Sequence, residues 1–180
     1  MQRSNYPITR SSDSPISREV AIALGTNLGD RRAHLDYAVS RLREFLDELK
    51  VSSYYDTQPV EVAGEQPDFL NAAAVGKTAL SARQVLNLLL AIELERGRRR
   101  PHPAAARTLD LDLVLFGDEI IDDPPELIVP HPRFRERAFV LEPLAEVAAQ
   151  LRDPVTEKTV AELRRLNTSS SSLRTRGTST

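Results

Sequence analysis

Apolar side chains alternate at Val20, Ile22 and Leu24, the period-two pattern of a strand with one buried face. Gly25 and Gly29 bracket a turn. From Leu35 the period lengthens: Leu35, Val39, Leu42, Leu46 and Leu49 recur at helical spacing, which predicts one helix through to Leu49. Val51–Asp56, with Tyr54 and Tyr55, is β-prone. A loop with Gln58, Pro59, Gly64 and Pro67 follows, and Phe69–Thr78 reads as a strand despite its alanines. Ser81 and Gln84 form a capping box for a second helix through Val85, Leu86, Leu89 and Ile92, with Gly97 as its stop. A basic, proline-containing loop, Arg98–Arg107, leads into an apolar strand, Leu109–Phe116, broken by two aspartates. Phe116-Gly117-Asp118 and Asp122–Pro125 read as turns. Arg135–Ala149 reads as a helix that Pro143 kinks or ends early, and Thr159–Leu166 as a last helix with a Thr159/Glu162 capping box.

The resulting order is β-α-β-β-α-β with additions at the end. It predicts an α+β, ferredoxin-like fold, an antiparallel sheet with helices packed on one face. The ends differ in composition: 1–17 is rich in Ser, Pro and Arg, and 168–180 in Ser, Thr, Arg and Gly. Neither buries enough apolar surface to offset the entropy of ordering, so both are expected to be disordered and the domain to span 18–167.

A chain of 180 residues suits one domain, and its net charge of −2 gives no general attraction to nucleic acid or anionic membranes. Cysteine is absent, which removes disulfides, thiolate metal sites and cysteine nucleophiles. No apolar run has the length of a membrane span and residues 1–17 have no apolar core of a signal peptide, so a cytoplasmic protein is expected.

The strongest chemical signal is Arg107-Thr-Leu-Asp110-Leu-Asp112. Residues two apart on a strand share a face, so both carboxylates point the same way. Such a pair repels itself unless a cation lies between, and hard oxygen donors select magnesium. A solvated strand face bearing two acids is the plainer alternative. Arg96, Arg98, Arg99 and Arg100 lead into the prolines of that loop; they suit either phosphate binding or the dipole of a helix C-terminus. Pro130-His131-Pro132, followed by Arg133, Arg135 and Arg137, could donate to a phosphate, or His131 could be structural. No P-loop, kinase glycine loop, nucleophile elbow or His-Glu-x-x-His is present. Acids for magnesium beside arginines for oxygens are what phosphoryl transfer requires.

Together the blocks Ala23–Asp30, Asp68–Ala73, Ile92-Glu93 with Gly97-Arg98, Arg107–Asp112, and Pro130–Pro132 with Arg137–Phe139 closely resemble the 6-hydroxymethyl-7,8-dihydropterin pyrophosphokinases. The resemblance implies magnesium-dependent transfer of the β,γ-diphosphate of ATP to a pterin hydroxymethyl group, with release of AMP, in folate biosynthesis. It implies two magnesium ions on Asp110 and Asp112. It makes Arg98 and Arg107 neutralising, catalytic residues, and Glu93, His131 and Arg137 contacts of the co-substrate ATP. It places Thr57, Val60 and Asn71 against the pterin and sandwiches the ring between Phe69 and Phe139. ATP and a reduced pterin would be the partners, with no nucleic acid, no membrane, and a monomer sufficient.

This chain departs from some members of that family. Ala104-Ala-Ala106 replaces a Trp-Gly-Pro, Phe69 a tyrosine and Thr26 a serine. The missing indole bears on closure of the Arg98–Arg107 loop; the loops 57–68 and 98–107 are expected to close over ATP. Two other classes compete: a two-metal nucleotidyltransferase or nuclease, against which the near-neutral charge argues, and a silent ferredoxin-like binding domain, against which the Arg107, Asp110 and Asp112 set argues.

Overall fold

The computed structural model describes residues 17–59, 66–98 and 107–174. β1 (Arg18–Thr26) buries Val20, Ile22 and Leu24 on one face. α1 (Arg31–Leu42) starts where the Asp30 side chain accepts the Ala33 N–H, and it ends at Leu42. The helix expected through to Leu49 is therefore shorter. Turn bonds at Arg43–Phe45 carry the chain out, Leu46 fills the core from the loop, and Leu49 lies on β2 (Asp47–Val51). The β-prone stretch 51–56 is likewise split. Its first residue ends β2, and β3 (Tyr55–Thr57) begins after a break.

β4 (Phe69–Thr78) has the bounds read from the sequence. The Ser81/Gln84 box caps α2 (Ala82–Glu95). Gly97, at φ +72°, stops it, with Gly97 N–H bonded to Leu94 C=O and Arg98 N–H to Glu93 C=O. β5 (Asp110–Phe116) is followed by a hairpin, β6 (Ile121–Asp123) and β7 (Leu127–Val129), where only a turn was expected. Strands of three residues are too short to show a period.

A single 3₁₀ turn, Phe134–Glu136, precedes α3 (Ala138–Ala148). Pro143 neither breaks nor ends α3. Burial of Val140, Leu141 and Leu144 against the sheet compensates for the N–H that proline lacks. α4 (Val160–Arg174) opens on the Thr159/Glu162 box and runs beyond the Asn167 boundary expected from composition.

The main sheet is antiparallel, in the order β2-β4-β1-β5 with β3 also on β4. This is the ferredoxin-like arrangement. Helices are not confined to one face. α1 and α2 cover the side of Val20, Ile22 and Leu24. α3 and α4 cover the side of Ala21, Ala73 and Val75.

Candidate functional site

Register assembles the site. Gly25 pairs with Asn71 of β4 on one side and Asp110 of β5 on the other, so the three lie in one row across three strands. Ala23 likewise stands between Ala73 and Asp112. Asp110 and Asp112 thus share a face, while Leu111 and Leu113 join the core on the α1 and α2 side. Small residues in the central strand leave room above these rows. A Cβ on Gly25 would stand 3.0 Å from Asn71 Oδ1.

β5 then bulges. Ala21 pairs with Leu115 but Ile22 with Leu113, so Val114 is the extra residue. Val114 and Leu115 can therefore both bury on the second face. The Val114 carbonyl accepts the His131 N–H at 2.9 Å, which fixes His131 beside the acidic pair.

The guanidinium of Arg98 meets Asp110 Oδ1 at 2.5 Å, and that of Arg107 meets Asp110 Oδ2. Asp112 Oδ2 faces Arg137 Nη1 at 3.7 Å and His131 Nε2 at 4.0 Å. Burial, reinforced by the neighbouring Asp110, pushes the Asp112 carboxyl up to about 6. Burial and Arg137 push His131 down to about 4, so it is neutral at pH 7. His131 Nδ1 accepts the Arg133 N–H at 3.2 Å, which assigns the ring proton to Nε2, on the Asp112 side.

Glu93 is expected at the ATP side. It is buried behind β5, where Oε1 accepts the Leu111 N–H at 2.7 Å and pairs with Arg98. The Gly97 stop turns Arg98 back onto the end of α2, which makes that contact possible.

Beside the acids lies a cleft of about 100 Å³. Thr57, Phe69, Asn71 and Phe139 line it together with Arg107, Asp110 and Arg137. Asn71 Nδ2 donates to Thr57 Oγ1 at 2.6 Å. The guanidinium of Arg107 lies 5.9 Å from the Phe69 ring centre, and that of Arg137 lies 5.5 Å from the Phe139 ring centre. Each cleft aromatic thus borders an arginine that also faces a carboxylate. Val60 lies outside the described residues.

Gln58 and Gly25 also line the cleft, and neither was among the predicted site residues. Asn27 was missed as well. Its Oδ1 accepts the Arg107 N–H at 2.8 Å, and its Nδ2 donates to Gln66 Oε1 at 3.1 Å. It ties together the ends of both long loops. The only signal was its place in the Ala23–Asp30 block.

A larger hollow of about 500 Å³ lies elsewhere, with Glu19, Glu48, Lys77, Asp118 and Arg152 in its lining. Glu48 and Lys77 there pair with each other at 2.8 Å. The smaller cleft is the one that borders Asp110 and the guanidinium groups of Arg107 and Arg137.

The donor set suits magnesium. Among the described residues, no group of three or more His, Cys, Asp or Glu could hold a metal. Magnesium characteristically takes one or two protein carboxylates and completes its shell with phosphate oxygens and water. Asp110 and Asp112 supply such a pair.

A model of the 7,8-dihydro-6-hydroxymethylpterin-pyrophosphokinase family matches residues 21–149. The chain belongs to this family. The pyrophosphokinase of Bacillus subtilis is 46% identical over 137 residues, covering 75% of this chain and 81% of its own length. That of Pseudomonas aeruginosa is 43% identical over 140 residues, 76% of this chain and 85% of its own. A folic acid synthesis protein of Pneumocystis carinii is 37% identical; the match covers 84% of this chain but only 20% of that longer protein. A crystal structure of Plasmodium falciparum HPPK-DHPS A437G with pteroate shares the fold with a TM-score of 0.67 at 14% identity, over 88% of this chain and 42% of that one. As a family member, the protein is a pterin pyrophosphokinase, a transferase of folate biosynthesis with ATP as co-substrate.

Proposed function

We propose that this enzyme moves the β,γ-diphosphate of ATP onto the hydroxymethyl group of 6-hydroxymethyl-7,8-dihydropterin, with magnesium, and releases AMP. The observation that carries the reading is the cleft itself. It is a slot with Phe69, Phe139, Asn71 and Thr57 in its lining, and it reaches Asp110.

Phe69 and Phe139 hold the flat ring, a contact worth about 0.5–1.5 kcal/mol beyond burial. Asn71 offers a donor and an acceptor to the ring's amino-oxo edge, with Thr57 holding its amide in place. Val60 keeps the pterin-binding role that the resemblance implies. The hydroxymethyl oxygen bonds to the β-phosphorus and gives up its proton to water, the bond from that phosphorus to the α,β-bridging oxygen breaks, and AMP departs with that oxygen. Arg98, Arg107 and Arg137 stabilise the phosphate oxygens, and neutral His131 donates Nε2–H to them. Glu93 acts from behind by holding Arg98.

Asp110 and Asp112 would hold two magnesium ions, which would supply positive charge to offset that of the triphosphate and the leaving AMP. Asp110 is engaged by two guanidinium groups in this structure. The phosphates offer those groups another anionic partner and so free the carboxylate.

Residues 18–167 form the catalytic unit, with the segments 1–17 and 168–180 outside it. The enzyme works as a monomer in the cytoplasm, on ATP and a reduced pterin, with no nucleic-acid or membrane partner. Among the described residues no helix is long and apolar enough to cross a membrane.

The test is AMP formation from ATP, magnesium and the pterin, with a D110A/D112A double variant alongside. AMP that requires pterin and magnesium, with at least about a thousandfold loss in the variant (about 4 kcal/mol of barrier) and an unchanged circular dichroism spectrum, is the expected result. ADP in place of AMP would overturn the diphosphate transfer. No turnover by folded protein would leave a binding domain.

A further inference from the structure

We infer that Asp153 is a positioning residue for the nucleotide side of the cleft, acting through Arg135. The inference rests on the reading of the site given above.

Arg137 and His131 face Asp112 from either end of the short segment that contains the 3₁₀ turn Phe134–Glu136. A single 3₁₀ turn has little stability of its own. This one lacks a side-chain cap at Arg133. Tertiary anchors must therefore fix it. Phe134 is one, fully buried against the second face of the sheet. The other is Arg135, whose Nε and Nη2 fork onto Asp153 Oδ2 and Oδ1 at 2.7 and 2.6 Å. A bidentate fork fixes direction as well as distance. The same guanidinium lies 4.8 Å from the Phe134 ring centre, so the two anchors support each other.

Asp153 is rigid in its turn. It is 0% exposed. Its carboxylate also accepts from the Thr156 hydroxyl at 2.5 Å and the Val155 N–H at 3.2 Å. Its backbone N–H donates to Lys158 C=O, and its C=O accepts from Glu157 N–H. From α4, Asn167 Nδ2 donates to the Arg135 carbonyl at 3.4 Å. The segment between α3 and α4 is thus braced against the back of the turn that presents His131 and Arg137.

Of the pterin walls, Thr57, Phe69 and Asn71 belong to β3 and β4 and none of them hydrogen-bonds to Arg135 or Asp153, while Phe139 lies on α3 and packs against the cluster of Val140, Leu141 and Leu144. Loosening the brace should therefore weaken ATP binding and leave the pterin's binding largely alone. A generally softened fold would affect both.

The experiment measures KM for ATP and for pterin, kcat, and the Kd of a non-hydrolysable magnesium–ATP analogue. The proteins are wild type, Asp153→Asn, Arg135→Lys and the control Arg164→Gln, with thermal unfolding followed for each. Arg135→Lys keeps the charge and loses the fork, so it serves if Asp153→Asn does not fold. Expected is roughly a tenfold rise in ATP KM and analogue Kd for the brace variants, against less than about a twofold change in pterin KM. The control should match wild type. Equal loss for both substrates, or no loss in a folded brace variant, overturns the positioning role while the function stands. Wild-type protein that forms no AMP overturns the functional reading, and this inference with it.

Discussion

The two faces of the central sheet are built to different ends. Under α1 and α2, Val20, Ile22, Leu24, Leu111 and Leu113 form a continuous apolar floor that meets Leu35, Leu42, Val85 and Leu89. On the other face the same strands begin as floor, with Ala21, Val75 and Leu115 under α3 and α4. They finish as Gly25, Asn71 and Asp110 in one row. The first face is packed throughout. The second is packed at one end and chemically armed at the other. A strand's alternation lets one sequence serve both purposes without either compromising the other.

Substitutions on the two faces should therefore separate stability from activity. The largest stability effect should come from Leu89→Ala, which leaves a cavity in the packed face. It should cost about 3 kcal/mol in denaturant unfolding, with kcat nearly unchanged in the folded fraction. If kcat falls with stability, the faces are not independent.

A smaller effect belongs to Asp153. Burial opposes its ionisation, but the bonds from Arg135, Thr156 and the Val155 N–H outweigh that and hold its carboxyl below the usual range. Its contribution is therefore fully present above the unfolded-state value of about 4 and is lost as pH falls through the lower folded value. Unfolding curves of wild type should show an acid-limb loss of stability that flattens in Asp153→Asn. Parallel limbs would remove Asp153 as its source.

Gly25→Ala should reverse the pattern of Leu89→Ala. The new methyl pushes on the Asn71 amide and should raise pterin KM roughly tenfold, for about 1 kcal/mol of stability. The smallest change should come from Arg164→Gln. It breaks the exposed 3.3 Å pair with Glu142, so a stability change within about 0.5 kcal/mol is expected by thermal unfolding.

Much of this was legible locally. Ser81 with Gln84, Thr159 with Glu162, and Gly97 each act within a few residues, and each appears as read. The bounds of β4 also held. The alternation of Asp110 and Asp112 put them on one face with no knowledge of the partner strands. Leu46 and Leu49 misled because a loop and a strand that return to the same core can bury leucines at helical spacing. The hairpin β6–β7 was too short to carry a period, and Pro143 was judged on local propensity when burial decided its fate. Glu93 was read from its place in a motif, while only the path of the chain after Gly97 shows that it holds Arg98 and β5.

The sequence by itself determined the order of the core elements, the capping boxes of α2 and α4, the pairing of two carboxylates on one strand face and the family. These depend on residue type and short spacing. Only the tertiary structure decided that Asn71, Gly25 and Asp110 form one row, that a bulge at Val114 fixes His131, that Asn27 joins two loop ends, and that Arg135 rests on Asp153. Each depends on strand register or on contact between segments remote in the chain, and residue spacing carries neither.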